Sequence, residues 1–312
     1  MRLRWLLFIL IGLSLASGSV FAEPSRLVTA DGAITEIVYR LGQESRLVGV
    51  DTTSGYLEQT AELPKVGYLR ALPFEGVLAL KPDMLITSEQ AAPARNLERL
   101  ARAGVRVAQL PSRWTAEAAL ERILSVGELL GATEEARALV AGVEADIRRI
   151  QQNTGNRDYQ PRILFILAAG NHSVMLAGSD TAANALVELI GAENAAQGIK
   201  GYKPANREAI LASRPDAVVI AESTPGQFDI AGWPEVERLE AWQSGHRLVA
   251  DSMFLLGFGP RLPEAMAALN DALPGQREIA ANDPCPFRSF AVGAGALFAG
   301  SSPGGCGPGI DR

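Results

Sequence analysis

Short apolar runs alternate with stretches of helical period along most of this chain. Leu27-Val28-Thr29-Ala30 and Leu47-Val48-Gly49-Val50 read as strands, separated by a helix from Ile34 to Leu41 that stops at Gly42. A helix from Ala94 to Ala103 ends at Gly104 and leads into the strand Val105 to Leu110. The longest helical patterns are Thr115 to Gly131 and Thr133 to about Gln152, the second opening on the start signal Thr133, Glu134 and Glu135. After Asn153-Thr154-Gly155-Asn156 the alternation resumes with a strand at Arg162 to Leu167 and a helix from about Thr181 to Ile190. A strand at Arg247 to Ala250 and a helix from about Leu262 to Leu273 follow. Such alternation predicts α/β lobes with largely parallel sheets.

One pattern occurs twice, 133 or 134 positions apart. Val66-Gly67-Tyr68 leads to Glu75 and on through Lys81-Pro82-Asp83 to Ile86, and Lys200-Gly201-Tyr202 leads to Glu208 and on through Arg214-Pro215-Asp216 to Ile220. Each copy reads as a loop with an exposed aromatic, a two-turn amphipathic helix stopped by a basic residue and Pro, and a buried strand. Two copies imply two similar lobes with a ligand cleft between them. The boundaries expected are an N-terminal lobe over 23–132, a stiff connecting helix over 133–153 and a C-terminal lobe over 154–274.

The ends differ from this body. Residues 1–22 carry Arg2 and Arg4, an apolar run from Trp5 to Leu15 and a small-residue end, the pattern of a secretory signal peptide cut after Ala22. The apolar run is short for a membrane anchor, and no Cys follows it for lipidation. A soluble, periplasmic protein is therefore expected. Residues 275–312 are rich in Gly, Pro and Ser without periodicity and read as a disordered tail. The two cysteines, Cys285 and Cys306, both lie there and could form a bridge. The formal net charge of −6 becomes −8 once Arg2 and Arg4 leave with the leader, which argues against nucleic acid as a partner.

Chemistry-bearing residues are few. With only His172 and His246, a multi-histidine metal cage is excluded, and no nucleophile elbow, phosphate loop or catalytic carboxylate pair is present. Nothing calls for an enzyme. Tyr68 sits in a segment bracketed by Pro64 and Pro73 and is either an ordinary loop tyrosine or a ligand. If the segment is extended, Arg70 stands on the same side at i+2 and its charge favours phenolate. A phenolate suits ferric iron, and Tyr is one of the axial ligands of haem.

Taken together, Val66 to Leu72, Glu75 to Ile86, Ala177-Gly178-Ser179-Asp180-Thr181, Gly201-Tyr202-Lys203-Pro204 and Leu255-Leu256-Gly257-Phe258-Gly259-Pro260-Arg261 resemble the periplasmic haem-binding proteins of bacterial haem-uptake ABC transporters. These belong to the helical-backbone class of substrate-binding proteins, which also serves cobalamin and siderophores. The resemblance spans about Arg26 to Leu273. It implies two Rossmann-like lobes with central, mostly parallel sheets, a long rigid helix joining them and a ligand cleft between. It further implies a monomer that hands haem to inner-membrane permease subunits, downstream of an outer-membrane receptor system. Tyr68 matches the axial iron ligand, and Arg70 an arginine that supports it or meets a propionate. Arg261 matches a second-lobe arginine that either faces the ligand or packs the lobes, and Tyr202 is a further pocket candidate. His172 is a loose match to a second-lobe ligand, and otherwise a solvated loop residue, while His246 reads as structural. Glu75 and Glu208 match the carboxylates that dock onto the permease, though an acid in a helix's first turn also complements the helix dipole. A ferric-siderophore or cobalamin binder is the nearest alternative, and a haem-dependent enzyme the more distant one.

Overall fold

The computed structural model of the protein describes residues 24–155, 157, 159–169 and 174–274. The leader, His172, Cys285, Cys306 and the tail lie outside them.

The first sheet is built from β1 (Leu27–Ala30), β2 (Leu47–Val50), β3 (Met84–Ser88) and β4 (Arg106–Leu110), in the order β2-β1-β3-β4 and parallel throughout. Its helices are α1 (Gly32–Arg40), α2 (Phe74–Ala79) and α3 (Ala94–Arg102). β1 and β3 are buried along their whole length, whereas the edge strand β4 is mostly accessible. That is the pattern of a parallel sheet covered on both faces at its centre.

Two antiparallel helices follow, α4 (Ala116–Leu130) and α5 (Thr133–Thr154). The Thr115 hydroxyl caps α4 by accepting from the Ala118 amide at 3.1 Å, and Gly131 ends it in the left-handed conformation. Ala132, rather than Thr133, occupies the cap position of α5, with Glu134 and Glu135 in its first turn. The buried face of α5, through Val143, Ile147 and Ile150, belongs to one hydrophobic cluster that also holds Ile34 and Ile37 of α1, Phe165 of the second sheet and Met266 and Leu269 near the C-terminal end. A core shared in this way ties the two halves together.

The second sheet contains β5 (Arg162–Ala168), β6 (Val174–Ala177), the short β7 (Glu193–Asn194), β8 (Tyr202–Pro204), β9 (Ala217–Glu222) and β10 (Arg247–Asp251). Its order is β10-β9-β5-β6-β8, with β7 beside β5; β9, β10 and β7 run parallel to their partners, whereas β6 and β8 are antiparallel. The accompanying helices are α6 (Ala182–Leu189), α7 (Arg207–Ser213), α8 (Pro234–Glu237), α9 (Glu240–Gln243), α10 (Ser252–Leu256) and α11 (Leu262–Asp271). The expected loop around Tyr202 is instead the strand β8, paired with β6 through Ala177↔Tyr202.

Candidate functional site

The parallel strands of both sheets end on one cavity of about 790 Å³. Asp31 follows β1, Thr52 follows β2, Gln90 and Ser112 lie just beyond β3 and β4, and Ser223 follows β9, all of them on its wall. Open α/β sheets bind ligands at this end, and the volume suits a cofactor-sized molecule.

Tyr68 stands on this wall, 47% exposed. The chain around it is fixed by its neighbours: Val66, Leu69 and Leu72 are buried in the core of the first sheet. The Thr52 amide donates to the Gly67 carbonyl at 2.8 Å, the Leu69 amide to Asp51 Oδ2 at 3.3 Å, and the Leu72 amide to the Ala92 carbonyl at 2.7 Å. Gly67 has a φ of 108°, and a Cβ there would come within 2.8 Å of the Pro73 ring. The exposed phenol thus rests on a stiff backbone rather than on a mobile loop.

The extended geometry expected for this segment is not what forms. Leu69–Ala71 make a 3₁₀ turn, closed by the Ala71 amide donating to the Tyr68 carbonyl at 2.8 Å, so the strand rule for i and i+2 does not apply. Arg70 still lines the cavity, but its guanidinium donates to Gln90 Oε1, and Gln90 donates onward to Ser112 Oγ at 2.6 Å. On the opposite wall Tyr202 is half-buried. Burial pushes its phenol above the ordinary value, partly offset by the Ala183 amide, the Thr181 side chain and the charge of Arg70.

Arg261 is not on the cavity wall. Its Nε lies 2.8 Å from Glu36 Oε1 of α1, and its guanidinium stacks over Tyr56 and Phe254, with ring-centre distances of 4.9 and 5.2 Å. The Tyr56 hydroxyl donates to Glu36 Oε2 at 2.7 Å; burial first, and the Glu36 charge second, drive the Tyr56 pKa far up. Beside this cluster Gly259 backs onto α1 so closely that a Cβ would stand 3.0 Å from the Ala33 Cβ. The Gly-Phe-Gly-Pro-Arg stretch therefore forms a seam between the halves, with Arg261 packed into it.

Several wall residues carried no legible signal in the sequence. Trp114, 37% exposed, lies on the wall with Tyr68, and Tyr56 and Met253 add further aromatic and apolar surface. Arg122, buried on α4, also reaches it. Each sits where only the fold brings it, with no local motif to announce it. His246 is half-buried ahead of β10, its carbonyl accepting from the Val218 amide at 3.0 Å. Glu75 and Glu208 are exposed in the first turns of α2 and α7; Glu75 meets Arg99 at 3.3 Å, and the Glu208 amide is capped by Asn206 Oδ1 at 2.8 Å. Among the described residues no group of three or more His, Cys, Asp or Glu side chains gathers as a metal site, and no helix is long and apolar enough to cross a membrane.

The chain is similar in structure to a periplasmic haem-binding protein from Pseudomonas aeruginosa, 36% identical, with a TM-score of 0.72 over 80% of this chain and 92% of that one. In sequence it is similar to the uncharacterised ABC transporter substrate-binding lipoprotein YvrC of Bacillus subtilis, 29% identical over 80% of each chain. A vitamin B12-binding protein of Pectobacterium carotovorum is 25% identical over 69% of this chain and 77% of its own. Residues 27–253 match the description of the periplasmic binding protein family as a whole. The chain belongs to the periplasmic binding protein family, the solute-binding proteins of ABC transporters.

Proposed function

We propose that this protein binds haem as transported cargo in the cavity between its two sheets and delivers it to the permease subunits of an ABC importer. The observation that carries the reading is Tyr68: a phenol 47% exposed on the wall of a cofactor-sized cavity, on backbone fixed by buried anchors. Tyrosine oxygen is an established axial ligand for haem iron. Trp114, Tyr56 and Met253 supply surface to cover a flat macrocycle, and Arg70 lies two residues from the ligand, able to exchange Gln90 for a propionate. The similarity to the Pseudomonas aeruginosa protein supports the same cargo. Glu75 and Glu208, one exposed carboxylate per half at matched positions of the repeat, are the permease contacts. The protein acts as a monomer in the periplasm after loss of residues 1–22 and performs no catalysis.

The relative named for vitamin B12 makes a corrinoid the competing cargo. Cyanocobalamin brings both axial ligands of its cobalt with it and needs no phenolate from the protein. Parallel absorbance titrations with haemin and cyanocobalamin separate the two: saturable spectral change with haemin alone is expected, and saturation with cyanocobalamin alone overturns the haem reading.

A further inference from the structure

The three arginines at or near the cavity differ in what answers their charge. Arg261 has Glu36, and Arg70 is exposed to solvent and held by Gln90. Arg122 is only 5% exposed. Its Nη1 donates to the Gly257 carbonyl at 3.3 Å and its Nη2 to the Pro111 carbonyl at 3.1 Å, while its Nε has no hydrogen-bond partner. No carboxylate pairs with it among the described residues. A guanidinium stays charged, so burial against two carbonyls without an ion-pair partner is a costly arrangement unless an anion arrives.

The place for that anion is the cavity, whose wall includes both Arg122 and its acceptor Gly257. The two carboxylates on the same wall are already engaged by amides at helix starts: Asp31 accepts from the Ala33 amide at 3.0 Å, and Asp251 from the Met253 and Phe254 amides at 2.8 and 3.0 Å. We propose that Arg122 is the binding residue for an anionic group of the ligand. Resting on the haem reading above, that group is a propionate carboxylate. Because Arg122 also holds Gly257 of the opposite half, the ligand's charge is read at the point where the halves meet.

The test is a two-by-two cycle of protein against ligand: wild type and Arg122→Gln, each titrated with haemin and with haemin dimethyl ester, whose propionates are neutral. Gln keeps an amide donor and removes the charge. Loss of a charged hydrogen bond should weaken haemin binding by about ten- to a hundredfold. Binding of the ester should change by less than about threefold, and the spectrum of bound haemin should keep its wild-type form because the iron ligand is untouched. Arg122→Lys, which retains the charge, should keep most of the preference for haemin over the ester. It also carries the cycle if the Gln variant does not fold. Equal weakening of both ligands in Arg122→Gln, no weakening of either, or a Lys variant that loses the preference would overturn the role of Arg122 while leaving the haem reading in place. Failure of the wild type to bind haemin would overturn both.

Discussion

The two copies of the repeat share a scaffold and diverge at the residue that matters. In each, the helix ends on a basic residue in the left-handed conformation, Lys81 with φ 47° and Arg214 with φ 40°, followed by Pro and Asp. In each, the Asp ties the start of the sheet's central strand: Asp83 Oδ2 accepts from the Arg26 amide at 3.0 Å, and Asp216 Oδ2 from the Arg162 amide at 2.7 Å. The following strands, β3 and β9, are fully buried and run parallel to β1 and β5. The divergence begins just after the glycine. Tyr68 enters a 3₁₀ turn that presents its ring to the cavity, whereas Tyr202 enters a strand whose pairing leaves its ring half-buried. A duplicated framework thus gives two similar walls, and a local change in backbone pairing decides which wall carries the exposed phenol.

If the shared parts serve the transporter and the divergent parts serve the ligand, the two sets should separate in experiment. The largest effect expected is on transport. Reversing both Glu75 and Glu208 to Arg should abolish haem uptake through the importer, with each single reversal giving an intermediate loss and haemin titrations unchanged; a weakened titration would tie these residues to the site. Next in size is the seam. Arg261→Met leaves the buried Glu36 without its ion-pair partner, held by the Tyr56 hydroxyl, and should cost about 3 kcal/mol of stability, read as a lower urea midpoint with the slope retained. The smallest effect concerns the Asp that both copies share. Hydrogen bonds from Ser25 and the Arg26 amide hold the Asp83 carboxyl below its usual value. Its contribution is therefore full above the unfolded value near 3.8 and is lost as pH falls through the lower folded value. Asp83→Asn should lie below wild type in stability at neutral pH and converge with it in acid; a constant gap across pH would contradict the assignment.

The framework was legible because its signals are local. Glycine stops, Pro after a basic residue and unbroken apolar runs located seven of the ten strands among the described residues and the long helices within a residue or two, and the repeat announced two sheets. What escaped has a common cause. The 3₁₀ turn after Tyr68 is set by distant partners, Asp51 and Ala92, and β8 exists only because β6 lies beside it. Arg261 could face the ligand or pack the lobes, and no local signal showed that the fold would set Glu36 of α1 against it. Trp114 and Arg122 carry no motif, and become wall residues only when α4 and the end of β4 come to the cavity.

The difference between the two tyrosines is the central claim, and one paired titration reads it. Haemin added to Tyr68→Phe and to Tyr202→Phe, followed by absorbance, should show affinity lowered at least about a hundredfold and an altered ferric spectrum in the first variant. The second should keep the wild-type spectrum and lose less than about tenfold. A wild-type spectrum in Tyr68→Phe together with a lost one in Tyr202→Phe would contradict the account by moving the iron to the other wall.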